Sequence, residues 1–445
     1  MNVSIYGVGV SAESIEPISV DDTGEPSLGH AQTNPETNPE TNQKTNQKTD
    51  PETNQKTEQK ANPELHFETL TVAAGQILLY RLFDVADSVD LAGVERELRS
   101  AKGAREGVAR LRLQRQRDGV VFTNPPVSAG LSDRVLLLDD REWSVRVVAK
   151  AYDFGVMTIV WALNISSGTS FDQLAALSVE LEGEQMRADL ERWMIEDASV
   201  AVEAMRVGLV NPSIHDSQET LTVYAIRGFV SDGPVKAVTV SAHPSLPSLL
   251  LGESDEFSDQ LRDELLRSSY SYSTNDLVVI GYDQALVYDP DGTEDATSLL
   301  EFALAQVLEL AYYDRQLDDR INRMHQQLSG RRTPGNKANK KYDELRRDLL
   351  TQHLAFSEVI ERVGAAVKVT EDLYYAAIYR GAMRVFRAQE VAAATEHKLE
   401  VMYRTYSMLS DEAEAQTSRR LEWIVIILIM IEVIYGTINI IERVP

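Results

Sequence analysis

Trp143-Ser-Val-Arg-Val-Val-Ala-Lys-Ala151, Tyr152-Asp-Phe-Gly155 and Val156-Met-Thr-Ile-Val-Trp-Ala-Leu163 read together as two strands joined by a tight turn. In the first stretch Val145, Val147, Ala149 and Ala151 fall on one face, the period of two that marks a half-buried strand. The second is an unbroken apolar run, as expected of a strand covered on both faces. This pair is the strongest hairpin signal in the chain.

Working outward from it, Gln76–Phe83 reads as an earlier strand, and Asp90 is placed to cap a short helix ending near Ser100. Arg110–Arg115 alternates apolar and basic residues and reads as a half-buried strand. After the hairpin come a helix from about Phe171, another ending near Val207, and a strand over Leu221–Phe229. Strand, helix, two strands, helix, strand is the order of a ferredoxin-like split βαβ sheet. The expected fold class is therefore α+β, with a head over residues 65–295. Two short strands, Leu277–Tyr282 and Ala285–Tyr288, close that head before the turn Asp289-Pro-Asp-Gly292.

Beyond Ala296 the periodicity changes to that of helices. Leu310, Tyr313, Leu317, Ile321, Met324 and Leu328 form one stripe. Tyr342, Leu345, Leu349, Gln352, Phe356, Val359, Val363 and Ala366 form a second, with a 3,4 alternation. Ala392, Thr395, Leu399, Met402, Tyr406, Leu409 and Ala413 form a third. That spacing keeps a seam turned toward a partner helix, so residues 296–420 are expected to form an antiparallel helical hairpin and coiled-coil stalk. The third stripe predicts a homo-oligomer through the stalk and tail helices. At the hairpin tip, Arg331, Arg332, Lys337, Lys340 and Lys341 are five basic residues without an acidic neighbour, a candidate contact for an anionic partner.

The chain ends in Trp423-Ile-Val-Ile-Ile-Leu-Ile-Met-Ile-Glu432-Val-Ile-Tyr-Gly-Thr-Ile-Asn-Ile-Ile441. Counted from end to end, this segment rises about 28 Å as a helix, close to the thickness of a hydrocarbon core. Residues 421–441 are expected to be a single membrane-spanning helix. Trp423 would sit at its edge, and Glu432 would face a partner helix. Arg419 and Arg420 before the run predict a tail anchor with the bulk of the chain in the cytoplasm.

The rest of the composition mostly excludes. A net charge of −25 disfavours bulk attraction to nucleic acid or anionic lipid. With no Cys there are no disulfides, thiolate metal sites or Cys nucleophiles. Residues 33–64 are eight tetrapeptide units such as Thr33-Asn-Pro-Glu36, too polar and Pro-rich to build a core, so residues 1–64 read as a disordered tail. The seven His residues never pair at ligand spacing, and no Gly-rich phosphate loop precedes a helix. Asp289–Asp295 resembles half a calcium loop, but it lacks the closing Glu and reads as a turn. No catalytic residue, metal or cofactor is predicted.

Three further segments carry a family resemblance. Leu421-Glu-Trp-Ile-Val-Ile-Ile-Leu-Ile-Met-Ile-Glu-Val433 resembles the C-terminal motif of the required-for-meiotic-nuclear-division family (Rmd/Sif type, domain of unknown function 155), and Leu300-Glu-Phe-Ala-Leu-Ala-Gln306 and Tyr379-Arg-Gly-Ala-Met-Arg384 are similar to segments of its prokaryotic-type members. The Tyr152–Gly155 turn resembles its aromatic–acidic–aromatic–Gly hairpin. The resemblance implies a membrane-anchored protein without catalysis, whose mitochondrial relatives act as tethers for organellar translation. It makes the ribosome an expected partner of the basic tip; anionic lipid is the alternative if the hairpin folds down to the membrane. The functional expectation is a membrane-tethered interaction scaffold; the alternative is an enzyme or small-ligand-binding module with a pocket in the α+β head.

Overall fold

A computed structural model describes residues 70–100, 109–110, 124–215, 218–329 and 372–441, with 347, 351, 354, 356 and 357 between them. The tetrapeptide repeat, the expected strand over 111–115, the five basic residues of the hairpin tip and most of the second stripe lie outside the described residues.

The strands are β1 (Val72–Asp84), β2 (Ser88–Val89), β3 (Ala109–Arg110), β4 (Val127–Gly130), β5 (Arg134–Leu138), β6 (Arg141–Ala151), β7 (Val156–Ile165), β8 (Leu209–Val210), β9 (Gln218–Phe229), β10 (Ser269–Tyr270), β11 (Leu277–Ile280) and β12 (Gln284–Tyr288). The main sheet runs β10-β11-β12-β9-β1-β7-β6-β4-β3, with β5 also on β6. It is mixed, because β12 and β9 run parallel while β1 lies antiparallel to both its neighbours. The β6–β7 hairpin turns at Gly155, whose φ of 93° favours glycine; a Cβ there would meet the Ala86 carbonyl oxygen.

Helices cover both faces of this sheet. One face is packed by α2 (Phe171–Leu181), α3 (Glu184–Met205) and α5 (Leu246–Leu251), around Ile77, Phe83, Val147, Trp161 and Leu249. The flanking short helices are α1 (Leu91–Ser100), α4 (Ala237–Ser241) and α6 (Asp259–Leu266). Helix α2 starts at a reciprocal cap, where Ser170 Oγ accepts from the Gln173 amide and Gln173 Oε1 accepts from the Ser170 amide. The other face is packed by α7 (Asp295–Ser329), the helix Leu373–Val385 and the start of the terminal helix Ala388–Ile441, around Tyr80, Leu82, Val223, Leu300, Leu308 and Tyr379. Cover on both sides explains why β7 is buried along nearly its whole length.

Three expectations are corrected. The head is α+β, but it is not a four-stranded ferredoxin-like sheet: β9-β1-β7-β6 are the middle of ten strands, extended on both sides by segments whose pairing the sequence did not announce. Nor does α7 begin a free stalk. Its first half carries Ala296, Leu299, Leu300, Ala303, Leu304 and Leu308 onto the sheet, and it forms a layer of the head. The seam Thr395, Leu399 and Met402 is buried within the chain, where Thr395 Oγ1 donates to Asp314 at 3.1 Å and Lys398 Nζ lies 2.8 Å from both Asp314 and Asp318.

The third correction concerns the membrane. Among the described residues no helix is long and apolar enough to cross one. The 28 Å length spans Glu432, Thr437 and Asn439, whereas the uninterrupted apolar run is only Trp423–Ile431. Nine residues rise about 13 Å, less than half of a roughly 30 Å hydrocarbon core. The membrane-spanning helix at 421–441, the tail anchor and the cytoplasmic orientation inferred from it are withdrawn.

Candidate functional site

Where β11 begins and β12 ends, the described residues enclose a cavity of about 270 Å³. Four separate segments build it. The loop Tyr272–Asp276 leads into β11; the turn Asp289–Thr293 leaves β12; Ala296 comes from α7; and Tyr374 and Tyr375 come from the first turn of the helix Leu373–Val385, with Pro234 closing one side.

Three of the four segments are held by a carboxylate acting on their own backbone. Asp276 accepts from the amides of Tyr272, at 2.7 Å, and Ser273, folding the loop back on itself. Asp289 accepts from the Asp291 and Thr293 amides at 3.0 and 3.2 Å, and Gly292, at φ 68°, lets the chain turn there. Asp372 caps the next helix by accepting from the Tyr374 amide at 2.8 Å, which points two consecutive tyrosines at the site. That helix approaches closely because residue 381 is glycine; a Cβ would sit 2.0 Å from the Tyr270 hydroxyl.

The electrostatics have one sign. Asp276, Asp289 and Asp291 line the cavity, and no Lys or Arg is among the described residues that do. Burial alone would raise the Asp276 carboxyl, but hydrogen bonds from Ser273, the two loop amides and Tyr374 outweigh it and hold the group below its ordinary value. Tyr374 Oη donates to Asp276 at 3.0 Å, and burial, followed by that carboxylate, pushes the phenol well above its usual range, so it stays a donor. Tyr375 donates to the buried Asp295 at 3.1 Å. The rings of Tyr272 and Tyr374 meet edge to face at 5.7 Å, and those of Tyr374 and Tyr375 lie 5.3 Å apart. Aromatic rings beside carboxylates attract cations, through the ring quadrupole and through charge. Among the described residues no group of three or more His, Asp or Glu could hold a metal ion.

The residues singled out from the sequence lie elsewhere. Trp423 and Glu432 are exposed on the terminal helix, far along the chain from the cavity. Arg331, Arg332, Lys337, Lys340 and Lys341 lie outside the described residues. Sequence reasoning read Asp289–Asp295 as a turn, which it is, and did not join it to Asp276 or to Tyr374 and Tyr375. The local signal was the cap Asp372 followed by two tyrosines; its spatial partners lie about a hundred residues earlier.

Comparison with known proteins bears on the head. Residues 74–295 match the family described as the N-terminal domain of uncharacterized protein MJ0711. Over 200 residues the chain is 25% identical to uncharacterized protein MJ0711 of Methanocaldococcus jannaschii, covering 44% of this chain and 60% of that protein. The chain thus spans about three fifths of that relative's length. The matched residues hold the sheet from Ala74 onward and the cavity lining up to Thr293; Ala296, Tyr374 and Tyr375 lie beyond them. No solved structure matches.

Proposed function

We propose that this chain is a non-catalytic interaction module whose head binds a cationic organic group, an amine or guanidinium, in the cavity between β11, β12 and the helix Leu373–Val385. The observation that carries this reading is the lining: tyrosine rings and carboxylates, with no cation among the described lining residues. The cavity would accept a group the size of a lysine, arginine or small quaternary amine head.

An enzymatic reading has less behind it. Ser213 Oγ lies 2.8 Å from His215 Nε2, but the contact is exposed and joins residues two apart in one loop. A nucleophile needs a base oriented by a third group, and the bonds on either side of this pair tie its backbone to Val85 and Asp84. Loop closure accounts for it.

The test is calorimetric titration of the full chain at low salt with tetramethylammonium, guanidinium and spermidine, with tert-butanol as a neutral control. The cations are expected to bind and the neutral isostere not to. Tyr272→Ala and Asp291→Asn change exposed lining residues and should each weaken binding several-fold without lowering the unfolding midpoint. Equal, weak heats for cations and tert-butanol would rule the reading out.

A further inference from the structure

The terminal helix continues to Ile441, well past the Thr395–Met402 seam that packs on α7. From Trp423 to Ile431 nine consecutive side chains are apolar, each between 48% and 65% exposed. Nine residues make two and a half turns, so the apolar surface lies on every side of the helix. A helix that is apolar all round is one whose place is inside something.

Its size, shape and charge indicate the occupant. Nine large side chains at about half exposure present roughly 900 Å², comparable to one partner's share of a stable protein interface. Identical helices packed as a bundle present matching apolar faces to one another, each chain supplying the same element. A chain of net charge −25 repels its own copies, but this exposed stretch carries little of that charge. Between Leu421 and Tyr435 only Glu422 and Glu432 are charged.

We propose that the Trp423–Ile431 segment is a self-association surface, and that it packs against the same segment of further copies of this chain in a helical bundle. The proposal is independent of the cationic pocket, which shares no residue with it. Because the natural chain has no Cys, a single Leu428→Cys substitution reports directly on tail-to-tail contact.

The decisive experiment is light scattering coupled to size exclusion on the full chain at micromolar concentration. Wild type is expected to be oligomeric, and Ile424→Glu with Leu428→Glu is expected to be monomeric. Both positions are exposed in the single chain, so the doubly substituted protein should keep the wild-type circular dichroism spectrum; that separates lost assembly from lost folding. Oxidised Leu428→Cys protein should run as a covalent dimer. A monomeric wild type, or an oligomer that survives the double substitution, overturns the proposal.

Discussion

Two helical stretches of this molecule invert the usual relation between polarity and burial. The first half of α7 carries Asp295, Thr297, Ser298, Glu301, Gln306 and Glu309, and every one of them is buried. The Trp423–Ile431 run contains nothing but apolar side chains, and every one of them is exposed. The difference lies in what the sheet offers. On α7 the principal polar groups meet partners set by the opposing layer: Glu301 takes Lys150 Nζ at 2.5 Å and the Tyr152 hydroxyl at 2.9 Å, Asp295 accepts from Tyr375, and Gln306 Oε1 accepts from Tyr379. Buried polar groups persist when they are paired. The terminal run has left the sheet behind, and within one chain it has no layer to face.

The contrast can be broken most severely by placing the same substitution in both stretches. Leu308→Glu buries an unpaired carboxylate between α7 and the sheet and is expected to cost more than about 4 kcal/mol, enough to unfold the head. Leu428→Glu, at a site exposed in the single chain and away from the sheet, should leave the unfolding of the head within about 0.5 kcal/mol of wild type. Urea unfolding of the two proteins measures both; similar midpoints would refute the layer assignment of α7.

A smaller effect comes from the polar partners themselves. Glu301→Leu removes the acceptor shared by Lys150 and Tyr152 and leaves a part-buried ammonium and a buried hydroxyl without it, an expected loss of about 2–3 kcal/mol. Glu301→Gln keeps an acceptor and should cost less. If both substitutions are neutral by urea unfolding, the α7 seam is held by apolar contact alone.

The effect spread over the widest range of conditions is on pH. At the end of β1, the Asp84 carboxyl lines a water-sized cavity with Asp87, Glu309 and Tyr312, and its Oδ2 is buried without a hydrogen-bond partner. Burial, followed by the Asp87 charge, raises it to about 7 against the partial opposition of Arg315. The folded state therefore keeps a proton that the unfolded chain releases above about pH 4. This contribution to stability is complete below that pH and is lost as pH rises through about 7. Wild-type stability should fall between pH 4 and 7 by up to about 1.4 kcal/mol per unit relative to Asp84→Asn. Parallel pH profiles for the two proteins would show that Asp84 titrates normally.

The sequence by itself determined the elements. Alternation over Val145–Ala151 and the apolar run Val156–Leu163 produced the hairpin, and the 3,4 spacing of Thr395, Leu399 and Met402 marked a buried helix face, because these patterns depend only on the repeat of the backbone. Which surface covers a stripe is not written in its period. The Thr395–Met402 part of the seam expected to join two chains packs on α7 of the same chain beside Asp314 and Asp318, and a tail long enough on paper for a membrane has too short an uninterrupted apolar run. The cavity was equally out of reach: Asp276, Asp289 and Tyr374 meet because β12 lies parallel to β9 at one side of the sheet and the helix Leu373–Val385 returns across it. Such long-range placement comes from summed packing over hundreds of residues, and only the tertiary structure decides it.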